Sequence, residues 1–339
     1  MSRPGQTNPR GGSQAVDLGD EQLNQRIADG MSRVEENLRE EIQRGERFLH
    51  EKAMHLAAAG GKRFRPLMAL LASEFGERPG NEEVINAATA VEMVHMATLY
   101  HDDVMDEANR RRGVDSANAR WGNSVAILAG DALLAHSTRL MSTLGMSTVR
   151  KFSDTFEELV TGQMRETIGA GEANPVEHYR KVIWEKTAVL IALPSYLGAT
   201  HAGAPAEHAE SLERLGGALG MIFQIIDDII DIFSESTESG KTPGTDLREG
   251  VFTLPVLYAL EHDSAAAQEL RGMLSGALTA DADVEKALEL IKQTDGRERA
   301  LADVDSYRRQ VVAELDRLPA GPANEALRRL TSATVERVG

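Results

Sequence analysis

Two stretches of this 339-residue chain place three aspartates at the same spacing inside otherwise apolar sequence. In LYHDDVMDEANRRRG, Asp102, Asp103 and Asp106 run into Arg110, Arg111 and Arg112. In FQIIDDIIDIF, Asp227, Asp228 and Asp231 are interleaved with Ile225, Ile226, Ile229 and Ile230. On an α-helix, residues i and i+4 share a face, so the first and third carboxylates of each set point the same way with the second beside them. Like charges so placed repel, and at a helix C-terminal end they also oppose the helix dipole. A helix as apolar as the second is buried on most sides, yet unpartnered buried carboxylates are very costly. The second triplet must therefore line a polar cleft rather than a packed core. Either set alone reads as a solvated acidic face. Two sets of identical spacing, both in apolar helix, read as facing triplets that chelate hard divalent cations. Mg2+ fits, because it takes oxygen ligands and completes its shell with waters and substrate phosphates.

The rest of the chain supports an all-α fold. From Leu23, apolar residues recur at spacings of three and four, one face of a helix. Gly60 and Gly61 stop the second helix, and Pro66 suits the first turn of the third. Asn81, followed by Glu82 and Glu83, caps a helix that runs to about Asp106. Further helices are expected over 123–145, 150–168, 177–198, 207–233, 253–262, 283–293, 297–316 and 323–337. No strand alternation or β-hairpin signal is found. Residues 1–18 read as a disordered arm. The rest, 19–339, reads as one all-α domain with loops at 169–175 and 234–250, the latter long enough for a lid.

Charge and composition remove several function classes. The net charge of −16 makes nucleic acid a poor partner, and the absence of cysteine excludes disulfides, thiolate metal sites and cysteine nucleophiles. No run approaches a membrane span and no secretory signal opens the chain, so a cytoplasmic protein is expected. An acidic protein that handles an anionic substrate needs cations between the two. Candidates are Lys62 and Arg65 in GGKRFRP, Arg111 and Arg112 after the first triplet, Lys186 beside Thr187 in EKTAVL, and Lys241 in the long loop. One phosphate-bearing ligand would be held through metal by the triplets, and a second directly by Lys62, Arg65 and Arg112.

GGKRFRP, LYHDDVMDEANRRRG, EKTA and GMIFQIIDDIIDI occur in this order, with Asp227 lying 125 positions after Asp102. Together they resemble the motifs of the trans-isoprenyl diphosphate synthases, or polyprenyl synthetases, over roughly residues 30 to 335. The resemblance implies a bundle of long helices around a deep central cavity, usually in a homodimer. It implies an enzyme that joins isopentenyl diphosphate to an allylic diphosphate primer. Carried over by position, Asp102, Asp103, Asp106, Asp227, Asp228 and Asp231 bind Mg2+ and the allylic diphosphate. Arg111, Lys186, Thr187, Gln224 and Lys241 assist there, and Lys62, Arg65, His95 and Arg112 hold isopentenyl diphosphate. Asp102, Asp103, Asp106, Lys186, Gln224 and Asp227 are the residues expected to carry catalysis. One departure stands out: the family's EGKxTLP is EGVFTLP here, with Val251 in the lysine's place and Arg248 as the neighbouring cation.

Short-chain members often carry a bulky aromatic four or five residues before the first aspartate. Here those positions are Thr98 and Ala97, and Val94, Met93 and Ala90 follow on the same face. Tyr100, two before Asp102, faces elsewhere. A long product, in the octaprenyl to nonaprenyl range, is therefore expected. The alternatives are a short-chain geranylgeranyl diphosphate synthase and a non-catalytic subunit of a heteromeric synthase. A class I terpene cyclase is disfavoured by the second Asp-Asp-x-x-Asp. A di-iron protein is disfavoured because Glu92-x-x-His95 has no second copy.

Overall fold

A computed structural model describes residues 17–234 and 243–338. The first half runs α1 (Glu21–Gln43), α2 (Arg47–Ala58), α3 (Phe64–Ser73), α4 (Glu82–Met105), α5 (Ala117–Trp121), α6 (Asn123–Thr143) and α7 (Met146–Ile168). Then come α8 (Pro175–Ile183), a π-helical turn (Trp184–Ala188), α9 (Val189–His201) and α10 (Ala206–Phe233). Beyond the undescribed residues lie α11 (Thr245–Glu249), α12 (Leu254–Glu261), α13 (Ala265–Met273), α14 (Asp281–Ile291), α15 (Gly296–Leu315), α16 (Pro322–Val335) and a terminal 3-10 turn (Glu336–Val338).

The all-α expectation holds, and the helix signals act as the residue chemistry requires. Asn81 caps α4 by accepting a hydrogen bond from Val84 N at 2.9 Å. Gly60, at φ 90°, ends the α2 turn in the left-handed region open to glycine. Three features differ from the sequence reading. Arg110–Arg111 and Val114–Asp115 form a two-stranded antiparallel hairpin, β1 and β2. Its turn residues Arg112 and Gly113 both have positive φ, 52° and 79°, as a tight hairpin turn of matching twist requires. Only one of the two is glycine, so the usual two-residue turn signal was absent. Short helices α5, α11 and α13 also form, α11 within the stretch expected as a loop. Lastly, the expected helix over 177–198 is interrupted by the π turn.

Two large apolar clusters make up most of the core. One surrounds α10 with α3, α9 and α15; the other surrounds α4 with α2, α6 and α9. A smaller cluster lies under α11–α14. α4 is buried almost all round, as its even distribution of Ala, Val and Met requires. Of the expected disordered arm, residues 1–16 lie outside the described residues; Leu18 is buried in the α10 cluster. α4, α7 and α9 share two common ends. At one lie Asp102, Glu166 and Lys186, with Lys186 Nζ donating to Glu166 at 2.6 Å. At the other, Asn81 donates to His201 O at 2.8 Å and Thr148 Oγ1 bonds His201 Nε2 at 2.9 Å.

Candidate active site

The first triplet sits where α4 ends. Asp106 is its C-cap and is exposed, Asp102 is half-buried, and Asp103 is fully buried. The hairpin folds back so that Arg111 reaches Asp103 Oδ1 with Nε at 2.7 Å and a terminal nitrogen at 2.6 Å. Asp103 Oδ2 is buried with no hydrogen-bond partner. Burial lifts the Asp102 carboxyl to about 6; Lys186 pulls it down and Asp106 pushes it up. Burial lowers the Lys186 ammonium, but Glu166 and Asp102 outweigh it, so the net shift is upward and the side chain stays charged.

Lys186 and Thr187 lie on the π turn, a rare winding often found at functional sites. The turn is braced from α7. Arg165 grips Glu185 with bonds of 2.8 and 3.0 Å, and Gly162 lies so close that a Cβ there would fall 2.6 Å from Glu185 Cβ.

The second triplet has the same spacing but different surroundings. Asp227 pairs with Arg337 of the terminal turn at 2.7 Å, and that guanidinium also lies 5.6 Å from the Phe223 ring centroid. Asp228 is buried; it accepts from Tyr179 Oη at 2.7 Å and from Gln224 Nε2 at 2.9 Å. Thr187 Oγ1 donates to Gln224 Oε1 at 3.2 Å, joining the π turn to the triplet. Burial raises the Asp228 carboxyl to about 8 against the pull of these two donors. Asp231 accepts from the backbone nitrogens of Thr245 and Asp246 at 3.1 and 3.2 Å, tying the start of α11 to α10. The cleft expected around this triplet is thus partly filled by protein groups.

Three of the four basic-site candidates come together below the acidic end. Arg65 projects from the first turn of α3, Arg112 from the hairpin turn, and His95 from α4 two turns before Asp102; Lys62 is exposed at the α2–α3 loop. Burial pulls the Arg65 guanidinium down to about 10, helped by Arg112 and opposed by Glu92. Its Nε is buried without a partner. Burial holds the His95 imidazole well below its usual range, and Arg65, Arg112, Arg63 and Arg111 add to the effect. Depressed cations crowded around a neutral histidine mark a site of excess positive potential, suited to an anion.

Arg63, between Lys62 and Arg65, is not part of that surface. It is buried, bonded to Glu35 and to Glu92 at 3.0 Å, and its left-handed φ of 48° turns the chain into α3. Arg112 itself donates to Leu56 O at 3.0 Å and to Gly60 O.

Lys241 lies outside the described residues. Arg248, three residues before Val251, donates to Asp281 at 2.7 Å. Burial raises the Glu249 carboxyl, and Asp106 and Asp231 raise it further, which sets this residue between the triplets. Glu166, Tyr179 and Arg337 were missed in the sequence, where each stands outside the motifs; Glu249 opens EGVFTLP and Glu92 was weighed only as a di-iron ligand. Tyr179 had a faint signal, seven residues before Lys186 on one helical run.

Among the described residues, no three His, Asp or Glu side chains converge closely enough to hold a metal ion by themselves. The donors nevertheless suit a hard divalent cation: carboxylate oxygens on two helices, the unpartnered Asp103 Oδ2, and a half-buried Asp102 whose carboxyl is raised by burial. One or two carboxylates from each side, completed by substrate phosphates, is the usual mode for Mg2+.

Residues 46–291 match the family described as Polyprenyl synthetase. The chain belongs to the polyprenyl synthetase family. It is 49% identical over 325 residues to the nonaprenyl diphosphate synthase of Mycobacterium tuberculosis, covering 96% of this chain and 97% of that protein. It is 39% identical to the dimethylallyltranstransferase of the same organism, over 92% of this chain and 95% of the relative. A crystal structure of geranylgeranyl pyrophosphate synthase from Corynebacterium glutamicum, complexed with calcium and isoprenyl diphosphate, superposes with a TM-score of 0.89. The identity is 60%, and 96% of this chain and all of that one are covered. The fold is the all-α one of this family, and the chain is a transferase.

Proposed function

We propose that the chain is an Mg2+-dependent trans-prenyltransferase that joins isopentenyl diphosphate to an allylic diphosphate. The product is a polyprenyl diphosphate in the octaprenyl to nonaprenyl range. One observation carries the reading: a single helix, α4, presents two chemically different anion sites. Asp102 and Asp106 face Lys186 at its end, with Asp103 held by Arg111 beside them. His95, with Arg65 and Arg112, forms a cation-rich site two turns below, about 10 Å along the axis. Two diphosphates can then be held apart by charge chemistry yet close enough for their hydrocarbon ends to meet.

Divalent cations held by Asp102, Asp103 and Asp106 with Asp227 would supply charge to stabilise the departing diphosphate. Lys186 adds a fixed ammonium on the same side, held by Glu166 rather than by solvent. Thr187 from the π turn and Gln224 from α10 orient the diphosphate. Arg65, Arg112 and Lys62 bind the second diphosphate directly. The apolar α4 cluster excludes water from the allylic cation.

Below Asp102, Ala97, Val94, Met93 and Ala90 are buried, and Tyr100 turns its hydroxyl to the Lys52 carbonyl of α2. That wall is small or pliable, since methionine adapts its shape readily. From Asp102 to Glu82 the helix rises about 30 Å, five to six turns at ~5.4 Å, each about one extended isoprene unit. A longer product must bend or pass between helices. A second reading, a geranylgeranyl product, is favoured by the 60% identity to the Corynebacterium enzyme.

Incubation with Mg2+, labelled isopentenyl diphosphate and farnesyl diphosphate, with products resolved by length, separates the two. Chains beyond twenty carbons support the first reading, and a stop at geranylgeranyl the second. Ala97→Phe should shorten a long product; an unchanged length would move the tunnel off this face of α4. A homodimer is also proposed, supported by Leu128 on α6 and Met146, Met164 and Ile168 on α7, which are exposed apolar side chains on adjacent helices. Light scattering at one mass would refute it. No helix among the described residues is long and apolar enough to cross a membrane; a cytoplasmic location is proposed.

A further inference from the structure

Both oxygens of Asp228 are engaged by the protein itself. The Tyr179 hydroxyl donates to one oxygen and the Gln224 nitrogen to the other. The Gln224 amide is thereby oriented: its nitrogen faces Asp228 and its carbonyl faces Thr187, whose hydroxyl hydrogen is committed to that carbonyl. One Gln224 N–H is left over, and Thr187 keeps its lone pairs. The chain Tyr179–Asp228–Gln224–Thr187 thus runs from the buried side of α8 to the half-buried π turn beside Lys186. Were Asp228 to swing toward a cation, the buried Tyr179 hydroxyl would lose its acceptor and the Gln224 amide would be free to flip.

We propose that Tyr179 is a positioning residue of the allylic-diphosphate site. Its hydroxyl holds one oxygen of Asp228 so that the other locks the Gln224 amide, aiming the remaining N–H at the diphosphate. Asp228 is then a support for Gln224 rather than a cation ligand, and the aspartate spacing of the second motif conceals two different jobs. This deepens the reading under Proposed function and rests on it for the identity of the ligand.

The test compares Tyr179→Phe, Gln224→Ala and the double variant with wild type. Manganese binding is followed by electron paramagnetic resonance, inorganic diphosphate binding in the presence of Mn2+ by calorimetry, and kcat and KM are measured for each substrate. Tyr179→Phe should bind Mn2+ within about twofold of wild type and leave the KM of isopentenyl diphosphate unchanged. It should weaken diphosphate binding, and lower kcat/KM for farnesyl diphosphate, by about tenfold, the size expected for one hydrogen bond within a charged network. Gln224→Ala should lose as much, and the double variant no more than either single one, because both break one chain.

Multiplying losses, wild-type kinetics in Tyr179→Phe, or a fall in Mn2+ affinity equal to that of Asp227→Asn would overturn the proposal. Should Tyr179→Phe not fold, Asp228→Asn breaks the same chain at its centre, because an amide cannot accept from both donors, and must likewise add nothing in the Gln224→Ala background. A wild-type protein that binds Mn2+ and diphosphate but condenses nothing would refute the reaction and not the positioning role. The calorimetric cycle decides the latter alone.

Discussion

The two aspartate motifs are the same in sequence spacing and opposite in environment. The first ends a helix, leaves Asp106 exposed and Asp102 half-buried, and spends only Asp103 on a protein partner, Arg111. The second lies within the last two turns of α10 and is bound up by protein at every position: Asp227 by Arg337, Asp228 by Tyr179 and Gln224, Asp231 by the start of α11. A motif thus specifies that carboxylates share a helix face. Which of them is left for a ligand depends on what other elements bring to that face. An exposed helix end has few neighbours to supply donors, whereas a helix packed on all sides has many.

The contrast can be broken by substitution. Asp102→Asn should cause the largest loss, on the order of 10²–10³ in kcat, the usual cost of removing one preorganised electrostatic element. Asp228→Asn should cost only about tenfold, as a hydrogen-bond support should. Radiolabel incorporation at saturating substrate compares them, and equal losses would erase the asymmetry. Lys186→Ala should fall between the two, since it removes a cation and also leaves Glu166 unpaired beside Asp102.

Acidity sharpens the comparison further. An unfolded aspartate titrates near ~3.9, whereas burial raises Asp102 to about 6 and Asp228 to about 8. Between the unfolded and folded values the native state keeps a proton that the unfolded state has lost. Stability therefore falls as pH rises, over about 4 to 6 for Asp102 and about 4 to 8 for Asp228. Metal-free protein should melt roughly several degrees lower at pH 8 than at pH 6 through Asp228, and Asp228→Asn should flatten that part of the curve. Melting scans in chelator, with and without the substitution, decide it; parallel curves would remove the burial argument.

The smallest effect is expected from Arg337→Ala. Releasing Asp227 from its guanidinium should tighten Mn2+ binding by about two- to fivefold, in keeping with a partly exposed pair. Unchanged affinity would mean that Asp227 does not meet the cation.

Local signals read correctly wherever a residue acts on its own backbone. Asn81 and Gly60 marked helix ends because a cap and a left-handed turn need only near neighbours. The aspartate faces were legible because helical periodicity is local. The hairpin at 110–115 was missed because its left-handed turn position is held by Arg112, whose side chain is anchored on the Leu56 carbonyl of α2, 56 residues away. Glu166 was missed for a similar reason. Nothing near it in sequence refers to Lys186, and the two meet because α7 packs along the π turn.

By itself the sequence determined an all-α chain, two acidic helix faces, the set of cations available to meet an anion, and membership of a recognisable family. These follow from periodicity, charge and motif order, which need no long-range contact. Only the tertiary structure decided that Arg63 is a buried brace while Arg65 keeps an unpartnered buried nitrogen, and that Arg248 turns to Asp281. It likewise decided that Asp228 is held by Tyr179. Charge and residue type are properties of a position. Partnership is a property of packing, and a buried carboxylate takes whatever donor the neighbouring helix delivers, because leaving it unpaired costs more than any local preference.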